Sequence, residues 1–258
     1  MKTKTALFTV MMMATLAAAA CLPAGSSSPE DPRAREIARR MDELYRSDSS
    51  EATLEMVITT PHWERTLKVQ SWSLGTKHTF LRILEPRKER GMATLRVGNE
   101  MWNFLPKTNK VMKIPPSMMM GSWMGSDFTN DDLVKEYSFL ADYRFEMMTL
   151  PETLPGMLYI KCIPLPDRPI VWGHVVTAVR EKGYLPVWQK FYDEKGKLMR
   201  RIDFSEVRTF GKRTIPAVMT LVPLSKEGHR TVVRYLEAAF NIPVAGDTFS
   251  LRSLRKRI

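Results

Sequence analysis

The stretch Ala52-Thr53-Leu54-Glu55-Met56-Val57-Ile58-Thr59 alternates in character, with Leu54, Met56 and Ile58 on one side. A period of two puts every second side chain on the same face of an extended chain, so this is a half-buried β-strand. The pattern returns after Pro61-His62 in Arg65-Thr66-Leu67-Lys68-Val69-Gln70-Ser71-Trp72, where Leu67, Val69 and Ser71 share a face. Thr79-Phe80-Leu81-Arg82-Ile83-Leu84-Glu85 is a third strand before Pro86, and 91–97, 101–105 and 110–114 follow. Gly-Asn, Pro-Lys-Thr-Asn and Pro-Pro turns bound these segments, which makes them meander connections and the pairing antiparallel. Further strands are expected at 139–148, 157–163, 173–181, 186–193, 197–209, 214–223, 229–240 and 247–251. Asp193-Glu194-Lys195-Gly196 and Lys226-Glu227-Gly228 read as hairpin turns.

Helices are few. Arg33 to Arg46 carries Ile37, Met41, Leu44 and Tyr45 at helical spacing, with Asp31 as cap and Pro32 in the first turn. Thr129-Asn130-Asp131-Asp132 caps a short helix through Leu133-Val134-Lys135-Glu136. Two helices cannot cover both faces of a flat sheet built from roughly fourteen strand segments. The economical arrangement is mainly β, an incomplete antiparallel barrel curled around its apolar side, with the N-terminal helix and the short helix closing the mouth.

One run breaks the strand pattern: Met118-Met119-Met120-Gly121-Ser122-Trp123-Met124-Gly125-Ser126-Asp127-Phe128, between Pro115-Pro116 and Thr129-Asn130-Asp131-Asp132. Flexible thioethers suit irregular or changeable apolar surfaces. The run either plugs the core or forms a lid over an apolar cavity. In the second case Met119, Met120, Trp123, Met124 and Phe128 are the ligand-contacting residues. Trp63, Trp72 and Trp102 are further candidates for a cavity or its rim, against plain core packing.

Residues 1–20 have a basic start, an apolar centre and a small-residue end, which is the pattern of a secretory signal. Residues 21–32 are a Ser/Pro/Gly/Ala-rich flexible leader, and 33–258 a single domain with length enough for a substantial core. Cys21 follows Ala18-Ala19-Ala20 and is either a lipidation site or an incidental neighbour of an Ala-x-Ala cleavage site. Cys162, the other of the two cysteines, lies in a strand-like segment and reads as a buried small hydrophobe, which excludes a disulfide framework. The formal charge is +11, much of it in Arg33, Arg35, Arg39, Arg40 and in Arg252, Arg255, Lys256, Arg257. For an exported chain this favours anionic lipid headgroups or an acidic partner surface over nucleic acid.

Catalytic chemistry has little support. The four histidines, His62, His78, His174 and His229, lack the spacing of a helical zinc site. There is no Gly-x-Ser-x-Gly elbow and no phosphate-binding Gly-rich loop. Asp127, Asp131, Asp132 and Glu136 do not follow a calcium-loop pattern and read as helix capping with solvent exposure. The expectation is a non-enzyme with no metal and no cofactor.

The chain resembles the LolA-like outer-membrane lipoprotein-sorting proteins, in their larger, mostly uncharacterised spirochaete-type branch. The resemblance runs over about 33–255. It is carried by Phe80-Leu81-Arg82-Ile83-Leu84-Glu85-Pro86 with Lys88, Gly91 and Met92, by Met101-Trp102-Asn103-Phe104-Leu105-Pro106, and by Met118–Phe128 with Asn130-Asp131-Asp132-Leu133. Pro164-Leu165-Pro166-Asp167, Val171-Trp172-Gly173, Tyr192-Asp193 with Gly196-Lys197-Leu198, and Phe249-Ser250-Leu251 with Leu254 complete it. The resemblance implies an incomplete β-barrel around a hydrophobic cavity and a periplasmic role in moving lipoproteins or lipids between membranes. Its partners would be acyl chains and a membrane surface or an inner-membrane transporter. An acylated Cys21 followed by Leu22 would favour the outer membrane. The alternative is an accessory subunit of an envelope exporter or lipid permease that carries nothing.

Overall fold

The computed structural model describes residues 29–135 and 139–256. The expected export signal, Cys21, most of the leader, Glu136 and Arg257 lie outside them. Helix α1 (Pro32–Glu43) starts where Asp31 accepts hydrogen bonds from the amides of Arg33 at 2.8 Å and Ala34 at 3.2 Å. These bonds satisfy two of the free donors of the first turn. The amide of Asp31 in turn donates to the Phe145 carbonyl, which ties the start of the helix to the sheet.

Thirteen strands follow: β1 (Ser49–Thr59), β2 (Glu64–Leu74), β3 (His78–Glu85), β4 (Ala93–Val97), β5 (Glu100–Leu105) and β6 (Lys110–Lys113), then β7 (Tyr143–Met147), β8 (Met157–Pro164), β9 (His174–Arg180), β10 (Pro186–Tyr192), β11 (Leu198–Phe210), β12 (Arg213–Pro223) and β13 (Arg230–Phe240). They make one antiparallel sheet in the order β6-β5-β4-β3-β2-β1-β13-β12-β11-β10-β9-β8-β7. Two meanders therefore join at β1 and β13, and the sheet stays open between β6 and β7. The chain between those two edges carries the Met-rich run, α2 (Asn130–Lys135) and α3 (Phe139–Asp142). This is the incomplete, mainly β barrel expected from element counts.

Register assigns the faces. Leu54, Met56 and Ile58 pair with Val69, Leu67 and Arg65, so all six point inward. Helix α1 covers the inner face at β7 and β8, and its Ala34, Ile37, Ala38 and Met41 belong to one apolar cluster with Phe145, Ile160, Val175 and Leu221. Cys162 is fully buried in the same cluster, as its strand context implied. On the outer face of β2–β6, Phe80, Leu95 and Phe104 pack under the C-terminal Phe249 and Leu254.

Two expected strands take another form. The segment 139–148 begins as α3 and becomes strand only at Tyr143, because Phe139 and Leu140 pack on the α1 cluster. The segment 247–251 is a 3-10 turn (Gly246–Phe249) leading into α4 (Leu251–Leu254). Ser250 Oγ accepts from the Ser253 amide at 3.2 Å and donates to the Asp247 carbonyl at 2.7 Å. Local hydroxyl–backbone bonds of this kind compete with a strand ladder and turn the chain. Among the described residues no helix is long and apolar enough to cross a membrane.

Candidate functional site

The inward face is not filled everywhere. Ser50, Ala52, Ser71 and Thr79 occupy inward positions of β1, β2 and β3, next to the bulkier Leu54, Val69 and Leu81. Small side chains in a row leave room where a Leu or Phe would close the interior. A cavity of about 370 Å³ results, with Met219, Val233, Tyr235 and Phe240 on its far wall. Asp131, Asp132 and Leu133 of α2, Phe139, and Ile170 to Trp172 lie on another side, and Met41 and Tyr45 at the end of α1.

The Met-rich run closes part of this space. Trp123 is 2% exposed, packed among Met56, Ile58, Leu67, Val69, Leu81, Ile83 and Val233. Its indole N–H donates to Thr94 Oγ1 of β4 at 3.0 Å, so the polar tip of the ring is satisfied. Three further anchors hold the run. The Arg65 guanidinium of β2 donates to the Met124 carbonyl. Asp127 receives a 2.7 Å hydrogen bond from Thr231 of β13, and its amide donates to the same hydroxyl at 3.0 Å. His229 Nδ1 lies 3.5 Å from Asp127 Oδ1. Met124 and Gly125 both have left-handed backbone, φ 51° and 77°, which tightens the turn beneath Arg65.

Of the residues expected to contact a ligand, Trp123 and Phe128 border the cavity. Met124 is half-buried against the Trp123 cluster, and Met119 is half-buried. Met120, at 49% exposed, faces outward with Met118. The run is thus divided, with its second half fastened inside the sheet and its first half at the surface. Trp72 and Trp102 pack on the outer face, and Trp63 is exposed at the β1–β2 turn.

The sequence pattern missed the charged element of the cavity. Asp132 closes a capping box, accepting from the Thr129 amide at 2.8 Å while its own amide donates to Thr129 Oγ1 at 3.1 Å. Both of its carboxylate oxygens also receive Arg200 of β11, at 2.8 and 2.7 Å. Solvent-exposed capping therefore does not describe Asp132, since the carboxylate is largely buried in a bidentate pair. Burial opposes its ionisation, but the Arg200 hydrogen bonds and charge, with Thr129, outweigh it and hold the carboxyl below its ordinary value. Arg200 sits 4.2 Å from the Phe191 ring centroid and 4.5 Å from that of Trp172, and its Nε has no hydrogen-bond partner among the described residues. At the other end of α2, buried Arg96 of β4 donates to the Val134 carbonyl at 3.5 Å. Two arginines from opposite halves of the sheet hold the short helix across the cavity.

Burial pushes the Cys162 thiol up to about 12, which leaves it without thiolate character at neutral pH. Among the described residues no group of three or more His, Cys, Asp or Glu is placed to hold a metal ion. The arrangement offers a partly open, mainly apolar volume whose wall carries Asp42, Asp131 and the Asp132–Arg200 pair.

A family model described as an uncharacterized protein matches residues 75–256. No curated protein matches the chain. The crystal structures that share the fold include three that align over most of both chains. A DUF1329 family protein from Desulfovibrio piger is 20% identical, with a TM-score of 0.77, covering 86% of this chain and 98% of that one. A putative outer membrane lipoprotein-sorting protein domain from Vibrio parahaemolyticus is 23% identical, with a TM-score of 0.73, covering 87% and 99%. A LolA superfamily protein from Nitrosomonas europaea is 20% identical, with a TM-score of 0.71, covering 85% and 98%.

Proposed function

This chain belongs to the family of uncharacterized proteins whose model matches residues 75–256, and from the fold it shares with a lipoprotein-sorting domain and a LolA superfamily protein we propose that it is a periplasmic carrier that holds acyl chains of lipids or lipoproteins in the cavity beneath α2. The observation that carries this reading is the unfilled, mainly apolar interior formed by small inward residues of β1–β3 and bordered by Trp123 and Phe128. Each buried methylene stabilises a bound chain by about 0.8 kcal/mol, so about ten of them contribute about 8 kcal/mol before the costs of association. The volume lies at the lower end of the range of about 300–1,000 Å³ for ligand pockets. One acyl chain, not a bundle, is the occupant that fits without moving the roof. The carrier is exported by the N-terminal signal, and Cys21 is the candidate for an outer-membrane lipid anchor. No step requires an enzyme, a metal or a cofactor.

Native mass spectrometry of the chain purified from its own periplasm tests the proposal. Co-purified lipid that is lost when the cavity is filled by Ala52→Leu with Ser71→Leu, the fold remaining intact, is the expected result. A clean apo mass, with no uptake of phospholipid or triacylated peptide, overturns it and leaves a non-carrying accessory subunit.

A further inference from the structure

The cavity has two unlike ends along the strands. Ser50, Ala52, Leu54 and Met56 line it from β1, and Ser71 and Val69 face Ala52 and Leu54 from β2. Ser50 to Met56 is six residue steps, about 20 Å at about 3.3 Å each. Thr79 of β3 lies in the same row as Ser50, through Ser73, so the hydroxyls of Ser50, Ser71 and Thr79 gather toward one end. Toward the other end the wall is Leu54, Met56, Val69 and Val233, and Trp123 closes it. Ile58, the next inward residue of β1, and Leu67, opposite Met56, are at most 1% exposed within the cluster of Trp123.

We infer that Trp123 is the end wall that sets how long an acyl chain the cavity accepts, the methyl end of the chain meeting the indole and its carboxylate or ester lying among the three hydroxyls. This rests on the carrier reading and adds to it a length limit and an orientation. An extended hydrocarbon advances about 1.3 Å for each carbon–carbon bond of about 1.5 Å, so about 20 Å takes roughly fifteen carbons. The reverse orientation would bury a polar head against Met56, Val233 and an indole whose N–H is already given to Thr94. A head placed there loses its hydration without a compensating hydrogen bond. A wall limits length only where it holds, and this one is fastened. Besides the bond to Thr94, the Arg65 guanidinium donates to the Met124 carbonyl, and Thr231 donates to Asp127. Surplus carbons must then displace a packed core or stay in water, and in either case they add nothing to affinity. Core packing alone accounts for Ile58 and Leu67, but not for a Trp that also borders unfilled volume.

The test measures the affinity of the full chain, purified from its own periplasm and delipidated, for unbranched saturated fatty acids below their aggregation concentrations. Each added carbon should tighten binding about fourfold up to roughly fifteen carbons, and not beyond. Trp123→Leu should move that limit up by about two carbons, since the indole reaches roughly 3 Å further than a Leu side chain. A second measurement needs no destabilised variant. Bromine quenches tryptophan fluorescence on contact, so a fatty acid brominated at its methyl end should quench Trp123 several-fold more than one brominated beside the carboxylate. The Trp123 signal is the part of the emission that Trp123→Phe removes. Affinity that keeps rising to about twenty carbons at the same gain per carbon, a limit unmoved in folded Trp123→Leu protein, or stronger quenching from the carboxylate end overturns the inference and leaves the carrier reading standing. Binding of no fatty acid at any length overturns the inference and, together with a clean apo mass, the carrier reading as well.

Discussion

Asp132 and Arg200 are a partly desolvated ion pair, so removing one partner costs far more than the pair contributes. Asp132→Asn or Arg200→Met should each destabilise by about 3–5 kcal/mol, and Asp132→Leu with Arg200→Met by much less, as read from urea unfolding of the full cycle. The pair also sets a pH dependence. Its carboxyl is held below the unfolded value of about 3.9, so its stabilisation is complete above that pH. It is lost as pH falls through the lower, folded value. Acid titration of the unfolding free energy should show this loss in the parent and not in Asp132→Asn. Trp123 is the second residue of consequence. Trp123→Ala should cost about 3–5 kcal/mol, and Trp123→Phe about 1 kcal/mol for the lost bond to Thr94, both measured by equilibrium denaturation.

The sheet has a stability gradient written into its order. β1 is flanked by β2 and β13 along its whole length, with ten or eleven registered residue pairs on each side. β6 and β7 are edges, and each has one neighbour. Amide hydrogen exchange should be slowest in β1, β2 and β13 and fastest in β6, with α2 between them. Exchange in β1 as fast as in β6 would contradict the gradient. Helix α2 spans six residues, too short to persist alone, and its place depends on the Thr129–Asp132 box and on Arg96 and Arg200. Movement of this roof thus needs only a few bonds broken, whereas movement of Trp123 requires opening a core.

Taken together, the molecule is a half-barrel whose inner face is used three ways: covered by α1 over β7 and β8, plugged by Trp123 over β1–β3, and left open in between. The open part is the carrier element of the proposed function. Filling it with Ala52→Leu and Ser71→Leu should lower uptake of a fluorescent fatty acid at least tenfold while changing stability by less than about 1.5 kcal/mol, since a void absorbs the added methylenes. The same probe bound unchanged by the filled variant would place the acyl chain elsewhere.

Period-two alternation, turn residues and a capping Asp act over a few residues, and with the family resemblance they were enough to reach β1–β6, α1, the hairpins and an open barrel with short helices. The aromatic centre of the Met-rich run was also legible, because nothing else in the chain combines Trp, Phe and Met outside a strand. The bond between Asp132 and Arg200 joins residues 68 positions apart, and no local pattern announces it. Which Met faces out, and which small inward residues align across three strands to leave a void, depend on register and on the path of 114–142 between the sheet edges. Those are properties of how strands meet, and contacts between distant segments fix them only once the chain has folded.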